Sequence, residues 1–358
     1  MRLLILSDGA SVHTRRWADY FRDRGHQVLL ASLEARAGAE GQARLGGFPW
    51  PRPLRYLAAA NQARKAISSF RPDLVNAHFL PSYGLTGALA GFHPLALSTW
   101  GSDVLVSPWK TPLHRARARY VISRADLITC DGDNLAEKLL SLGAAVRSIV
   151  KAAMGVDRVF IRDRQDELED KETVTVISTR SLEPCYDLAT LVRAMPLVIR
   201  ETARTVRFII VGGGRQLQAL RGLAASLGLG RQVSFEGAVP HSGIAGHLDA
   251  ADIYVSTSRT DSTSVSLLEA MARGLVPVVT DIPGNREWVE EGVNGFLFEP
   301  GDERELADRI LQLVQKPAPV DAIRHMNREL LEARGIWQDN MAAIEKAFAE
   351  LAASASKS

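Results

Sequence analysis

DIYVSTSRTDSTSVSLLEAMARGLVPVVT, residues 252–280, reads as one complete strand–helix–strand unit. A β-rich run at 252–258 gives way to small polar residues, then to an apolar helical stretch that stops at Gly274. A second β-rich run follows at 276–280. Ser262, Thr263 and Ser264 are all good N-caps, so the spacing predicts a helix beginning near Ser264. The free N–H groups and positive dipole end of such a helix suit a phosphate. Asp261 stands just before the helix, and Glu269, eight residues on, lies more than a turn inside it, where it can reach hydroxyls beside that phosphate. An anion site next to two hydroxyl-binding carboxylates suggests a sugar nucleotide.

The same alternation runs through the chain. Strands are expected at 3–7, 28–32, 73–77, 95–99, 126–130 and 148–150, and again at 173–179, 206–214, 233–237, 252–258 and 276–280, with helical patterns between them. Such a pattern predicts βαβ units, hence parallel sheets with helices on both faces. The polar stretch DRVFIRDRQDELEDKE (157–172) divides the chain into two Rossmann-like, doubly wound α/β domains facing a cleft. The expected bounds are 1–157 for an acceptor-side domain, 158–172 for the linker, 173–335 for a nucleotide-sugar-binding domain and 336–358 for a last helix. Ligands in such folds bind at the carboxyl ends of the strands.

Composition narrows the function class. At 358 residues, with 46% apolar and 23% charged residues, the chain fits two soluble domains. MRLLILSDG at the start reads as a strand, not a signal peptide, and no apolar run approaches the ~20 residues of a membrane span. Cys130 and Cys185 supply neither a disulfide framework nor a metal set, so a cytoplasmic location is expected, with peripheral contact at the inner face of the plasma membrane. Residues 1–158 hold 21 Lys+Arg against 12 Asp+Glu, and residues 159–358 hold 22 against 29. The basic half suits an anionic membrane or an acidic acceptor. Attraction between the two oppositely charged halves explains the same asymmetry. GGFPWPRPLRYL (46–57) mixes Phe48, Trp50 and Tyr56 with Arg52 and Arg55, which fits a membrane interface or a packed Pro-rich loop. No nucleic-acid partner is expected. The absence of a full G-x-G-x-x-G at either first turn argues against a nicotinamide dehydrogenase.

Residues 261–274 resemble the donor-binding signature of the family 4 retaining glycosyltransferases, Glu-x7-Glu followed by Ala-Met-Ala-x-Gly. Asp261 takes the first acidic position, Glu269 the second, and AMARG (270–274) follows in register. The resemblance extends over nearly the whole chain and implies the two-domain GT-B fold. It also implies a metal-independent, retaining transfer of a hexose-type sugar from a UDP- or GDP-sugar to a hydroxyl of a glycan, lipid-linked or small-molecule acceptor. A sugar-nucleotide epimerase on the same fold, or a non-catalytic sugar-nucleotide binder, remains open.

The resemblance also assigns roles. Arg180, after the strand 173–179, holds the donor diphosphate, as a permanently charged, paired donor should. The family carries a Lys five or six residues later, where this chain has Cys185 and Tyr186; Arg215 or Arg259 could substitute. Glu269 holds the ribose hydroxyls and Asp261 those of the donor sugar. The helix start at Ser264 and Val265 faces the phosphates. Gly212, Gly213 and Gly214 form a turn near the nucleotide base, although a tight turn alone would also call for glycine. Gly9 approaches the donor phosphates from the first domain. His78 resembles the second histidine of a family pattern, and a buried structural histidine is the competing reading. STWGSDVL (98–105) has Trp100 where the family often has His, which leaves Asp103 as polar group or helix cap. No cofactor or metal is expected, yet Asp131-Gly132-Asp133 spells a metal-binding Asp-x-Asp, with Asp133 alternatively the N-cap of the next helix.

Overall fold

The computed structural model describes residues 1–33, 41–46, 52–162, 164, 172–315 and 320–355, without the side chains of 52 and 53. Phe48, Trp50 and the Arg52 side chain, and most of the linker, lie outside the described residues. The chain divides into two units, Met1–Ala153 with Asp339–Ser358, and Met154–Gln338.

In the first unit β1 (Arg2–Leu6), β2 (Gln27–Ser32), β3 (Gln42–Arg44), β4 (Leu74–His78), β5 (Leu95–Ser98), β6 (Leu127–Cys130) and β7 (Ile149–Lys151) form a parallel sheet in the order β3-β2-β1-β4-β5-β6-β7. In the second, β8 (Thr173–Ser178), β9 (Thr205–Val211), β10 (Val233–Gly237), β11 (Ile253–Ser256), β12 (Val276–Thr280) and β13 (Phe296–Phe298) run in parallel as β10-β9-β8-β11-β12-β13. β4, β5, β11 and β12 are buried along their whole length, as strands covered by helices on both faces must be, and this explains their mostly apolar sequences, broken by polar residues toward the carboxyl ends. Two three-residue strands, β3 and β13, were not expected.

Each sheet winds outward from its first strand in both directions, and the reversal leaves a crevice at the carboxyl edge. It falls between β1 and β4 in one unit and between β8 and β11 in the other. The helix Val265–Ala272 starts one residue past Ser264, whose hydroxyl accepts from Leu267 N. The tail forms two helices, Val320–Arg334 and Trp337–Ala355, separated at Gly335. Within the first unit, Phe348 of the last helix stacks on Phe21 (centroids 5.8 Å apart) and Glu345 accepts from Tyr20 Oη at 3.0 Å. Among the described residues no helix is long and apolar enough to cross a membrane.

Candidate functional site

In the second unit the crevice between β8 and β11 gathers Arg180, Asp261, Ser264, Ser266 and Tyr186. Arg180 leaves β8 with its side chain buried. Its Nη1 donates to Ser264 Oγ (2.6 Å) and Ser266 Oγ (2.9 Å), its Nη2 to Asp261 Oδ2 (2.5 Å), and its Cζ lies 4.1 Å from the Tyr186 ring centroid. Burial works against the positive charge, but Asp261 and the neighbouring Tyr254 and Tyr186 outweigh it, so the guanidinium is held above its ordinary pKa. Its Nε–H is buried without a hydrogen-bond partner among the described residues. Tyr186 thus sets the face of its ring against the guanidinium.

Glycine packing fixes these loops. Gly212 has φ +153°, and a Cβ there would stand 2.2 Å from Arg180 O; at Gly214, with φ +157°, it would stand 2.4 Å from Leu182 O. The glycines therefore let the turn after β9 lie against the backbone that presents Arg180, and Leu182 N donates to Gly213 O at 2.9 Å. On the other side a Cβ at Gly284 would meet Ser262 O at 2.1 Å. Asp261 is thus set by close backbone contact, and its Oδ1 accepts from Ser262 N at 3.0 Å.

Glu269, 6% exposed, lies on the helix behind Ser264 and bonds His241 Nε2 through Oε1 at 2.6 Å. The His241 ring stacks on Phe160, with centroids 5.5 Å apart. His241 opens the helix after β10, directly following EGAVP (236–240); its place at a strand's carboxyl end was the signal that could have identified it. The two arginines considered as replacements for the absent Lys both hold carboxylates: Arg215 bonds Glu183 at 2.6 Å and Arg259 bonds Asp187 at 2.7 Å.

In the first unit a cavity of about 370 Å³ opens at the β1/β4 crevice, lined among others by Asp8, His13, His78, Tyr83 and Trp100. His78 ends β4 and is 1% exposed. Asn76, two residues back and so on the same face of the strand, aims its Nδ2 at Ser98 Oγ (2.9 Å) and at the Ala96 carbonyl (3.4 Å). A carbonyl can only accept, so the amide oxygen must face His78 Nε2, 2.7 Å away, and the imidazole carries its proton there. Nδ1 is left as a buried acceptor without a partner among the described residues. Burial lowers the His78 pKa to about 3. Trp17 and Trp100 pack on the ring at 4.9 and 5.1 Å.

Asp103 is fully buried, and its two oxygens accept from Trp100 N (2.9 Å) and Leu80 N (3.0 Å). Burial raises its pKa to about 6 against the pull of these backbone bonds. It ties together the segments that follow β4 and β5. Gly9 N donates to Ser32 Oγ at 2.9 Å, which fixes the first turn to the end of β2. In the Asp-x-Asp, Asp131 is buried, while Asp133 reaches Lys151 Nζ at 2.6 Å; Gly132, not Asp133, is the cap of the helix Asp133–Ser141. The aspartate sits one residue inside, where it still favours the dipole. Among the described residues no cluster of three or more His, Cys, Asp or Glu is placed to hold a metal ion.

Two parallel, doubly wound sheets with polar clusters at both reversal points define a GT-B glycosyltransferase fold. The glycosyl transferases group 1 model matches residues 159–329, and the glycosyl transferase 4-like model matches residues 2–132. The chain belongs to this glycosyltransferase family. It is similar to the GDP-mannose-dependent alpha-(1-6)-phosphatidylinositol monomannoside mannosyltransferase of Mycobacterium tuberculosis, 27% identical over 71% of this chain and 69% of the relative. The putative glycosyltransferase EpsD of Bacillus subtilis is 25% identical over 73% and 72%. Among solved structures, sucrose-phosphate synthase from Thermosynechococcus elongatus matches with TM-score 0.84 at 17% identity, covering 99% of this chain and all of that one. Anabaena HepE in complex with UDP-glucose matches with TM-score 0.79 at 21% identity, covering 98% of this chain and 100% of that one.

Proposed function

We propose that the protein transfers a hexosyl residue from a UDP- or GDP-sugar to a hydroxyl of a glycan, lipid-linked or small-molecule acceptor, retaining the anomeric configuration and using no metal. The carrying observation is the arrangement at the β8/β11 crevice, where a buried guanidinium and a Ser-capped helix start lie together, with Glu269 on the same helix. The barrier lies largely in the negative charge that develops on the departing diphosphate. The N–H groups of Val265 and Ser266 and the Nε–H of Arg180 are fixed dipoles and charge suited to it. Glu269, oriented by His241, accepts from the ribose hydroxyls. Because Asp261 already holds Arg180, its role in this reading is to set the guanidinium plane as well as to contact the donor sugar. The unit-one cavity, with His78 Nδ1 as a hydrogen-bond acceptor, is the proposed acceptor site.

The relatives support a nucleotide-sugar donor: one is named for GDP-mannose, and the HepE structure contains UDP-glucose. The test is product analysis with GDP-mannose and UDP-glucose against a panel of sugar, polyol and lipid-linked acceptors, with the anomeric configuration read by NMR. Release of nucleoside diphosphate together with an α-linked product supports the proposal. An epimerised donor without acceptor, or nucleotide binding with no turnover across the panel, defeats it.

A further inference from the structure

Residues 104–125 hold five basic side chains, Lys110, Arg115, Arg117, Arg119 and Arg124, with no acid between Asp103 and Asp126. The stretch folds as a short turn, Ser107–Trp109, and a helix, Pro112–Arg124, started by Thr111, whose hydroxyl accepts from His114 N. Ala118, Val121 and Ile122 bury the inner face. The outer face is unusual for a surface helix. Leu113 is 77% and Tyr120 42% exposed, with exposed Ala116 between them on the same i, i+3, i+7 stripe. Val106 and Trp109, each 37% exposed, lie in the segment just before the helix. Arg115 stands over the Trp109 ring at 4.7 Å and Lys138 at 5.7 Å.

Among the described residues no carboxylate pairs with Lys110, Arg115, Arg117 or Arg119, whereas Arg124 lies against the His93–Asp126 pair. Unpaired charge alone would fit any polyanion. Exposed Leu113 and Tyr120, with Arg117 and Arg119 at the edges of their stripe, fit a bilayer, where apolar side chains enter the acyl boundary while guanidiniums meet the headgroups. The 13-residue helix, about 20 Å long, is a sufficient footprint for several headgroups.

We propose that the outer face of this helix, Leu113, Ala116 and Tyr120 flanked by Arg117 and Arg119, docks this protein on an anionic lipid bilayer. The docking stands independently of the donor and acceptor chemistry above, and it brings the enzyme to a membrane-resident acceptor if that reading holds. The test is co-sedimentation of the full chain with vesicles of phosphatidylcholine alone or with one-third phosphatidylglycerol. Binding to the anionic vesicles only, weakened by salt, is expected. Arg119→Glu should weaken it by about twentyfold, from about fivefold per unit of charge over a change of two units. Leu113→Ser, at a largely exposed position, should weaken it by about tenfold. Failure to bind anionic vesicles overturns the proposal, as does unchanged binding by the charge-reversed variant. Equal binding to soluble poly-glutamate with no effect of Leu113→Ser would show a polyanion site in place of a membrane face. UDP and GDP binding, measured on the same samples, should be unaffected by these substitutions and reports on the transferase reading separately.

Discussion

Asp261→Asn separates what the arginine does from what the aspartate does. Asp261 Oδ2 lies 2.5 Å from Arg180 Nη2, and the side chains are 18% and 9% exposed, so the pair is largely removed from water. Asparagine keeps the shape and an acceptor for Ser262 N but deletes the negative charge. Leaving a buried cation without its partner costs about 3 kcal/mol of stability, the low end for broken buried pairs, because Asp261 is partly wetted. Arg180→Met should cost a similar amount, since it strands Asp261 and removes the bonds to Ser264 and Ser266. The double variant should cost less than the two single costs summed by about 2 kcal/mol, the coupling expected of residues in contact. Binding should then diverge. In Asp261→Asn the uncompensated guanidinium should hold nucleoside diphosphate more tightly, by about tenfold for one strengthened charge-assisted bond. Arg180→Met should weaken it by at least as much. Urea denaturation supplies the cycle and calorimetry with UDP and GDP the affinities. Additive costs, or nucleotide binding unmoved in both variants, would refute the reasoning.

Three further outcomes follow from the geometry. His78, neutral and buried, binds protons more weakly folded than unfolded, so its contribution is intact above pH 6.5 and declines as pH falls toward 3, about 2 kcal/mol being lost between pH 7 and 5. Asp103, with its pKa raised to about 6, works the opposite way and regains about 1 kcal/mol over the same interval; His78→Leu should therefore turn a slight acid-side loss into a gain on chemical denaturation. Gly212→Ala should cost about 1–3 kcal/mol and weaken nucleotide binding, because its Cβ would press on Arg180 O, whereas Gly222→Ala, with nothing within 4 Å, should stabilise by about 0.5–1 kcal/mol in thermal melts. Glu269→Ala should reduce calorimetric affinity for nucleoside diphosphates by about tenfold or more while sparing inorganic pyrophosphate, as befits a group that meets hydroxyls and not phosphates.

The sequence made the sheets readable because strands buried on both faces are long apolar runs, and the helix at Ser264 readable because capping is local. β3, Gln-Ala-Arg, escaped because it has no apolar run, and β13 because it is only three residues long and no helical pattern separates it clearly from the loop before it. Arg180, Asp261 and Glu269 could be singled out by type and spacing, but not the bonds between them. The 2.5 Å contact joins residues 81 positions apart in the chain, and its formation depends on how β8 and β11 become neighbours. The contacts of His241 with Glu269 and of Tyr186 with Arg180 escaped for the same reason, each pair meeting only through the fold. Asn76 was the nearer miss: two residues before His78 on a strand, it had to share a face with it.

The account rests on a nucleotide-sugar site at the β8/β11 crevice, and hydrogen exchange of the full chain with and without saturating UDP or GDP tests it most directly. One of the two should slow exchange in residues 179–187, 211–217 and 261–270. Protection elsewhere in the second unit, or none with any nucleoside diphosphate, would contradict it.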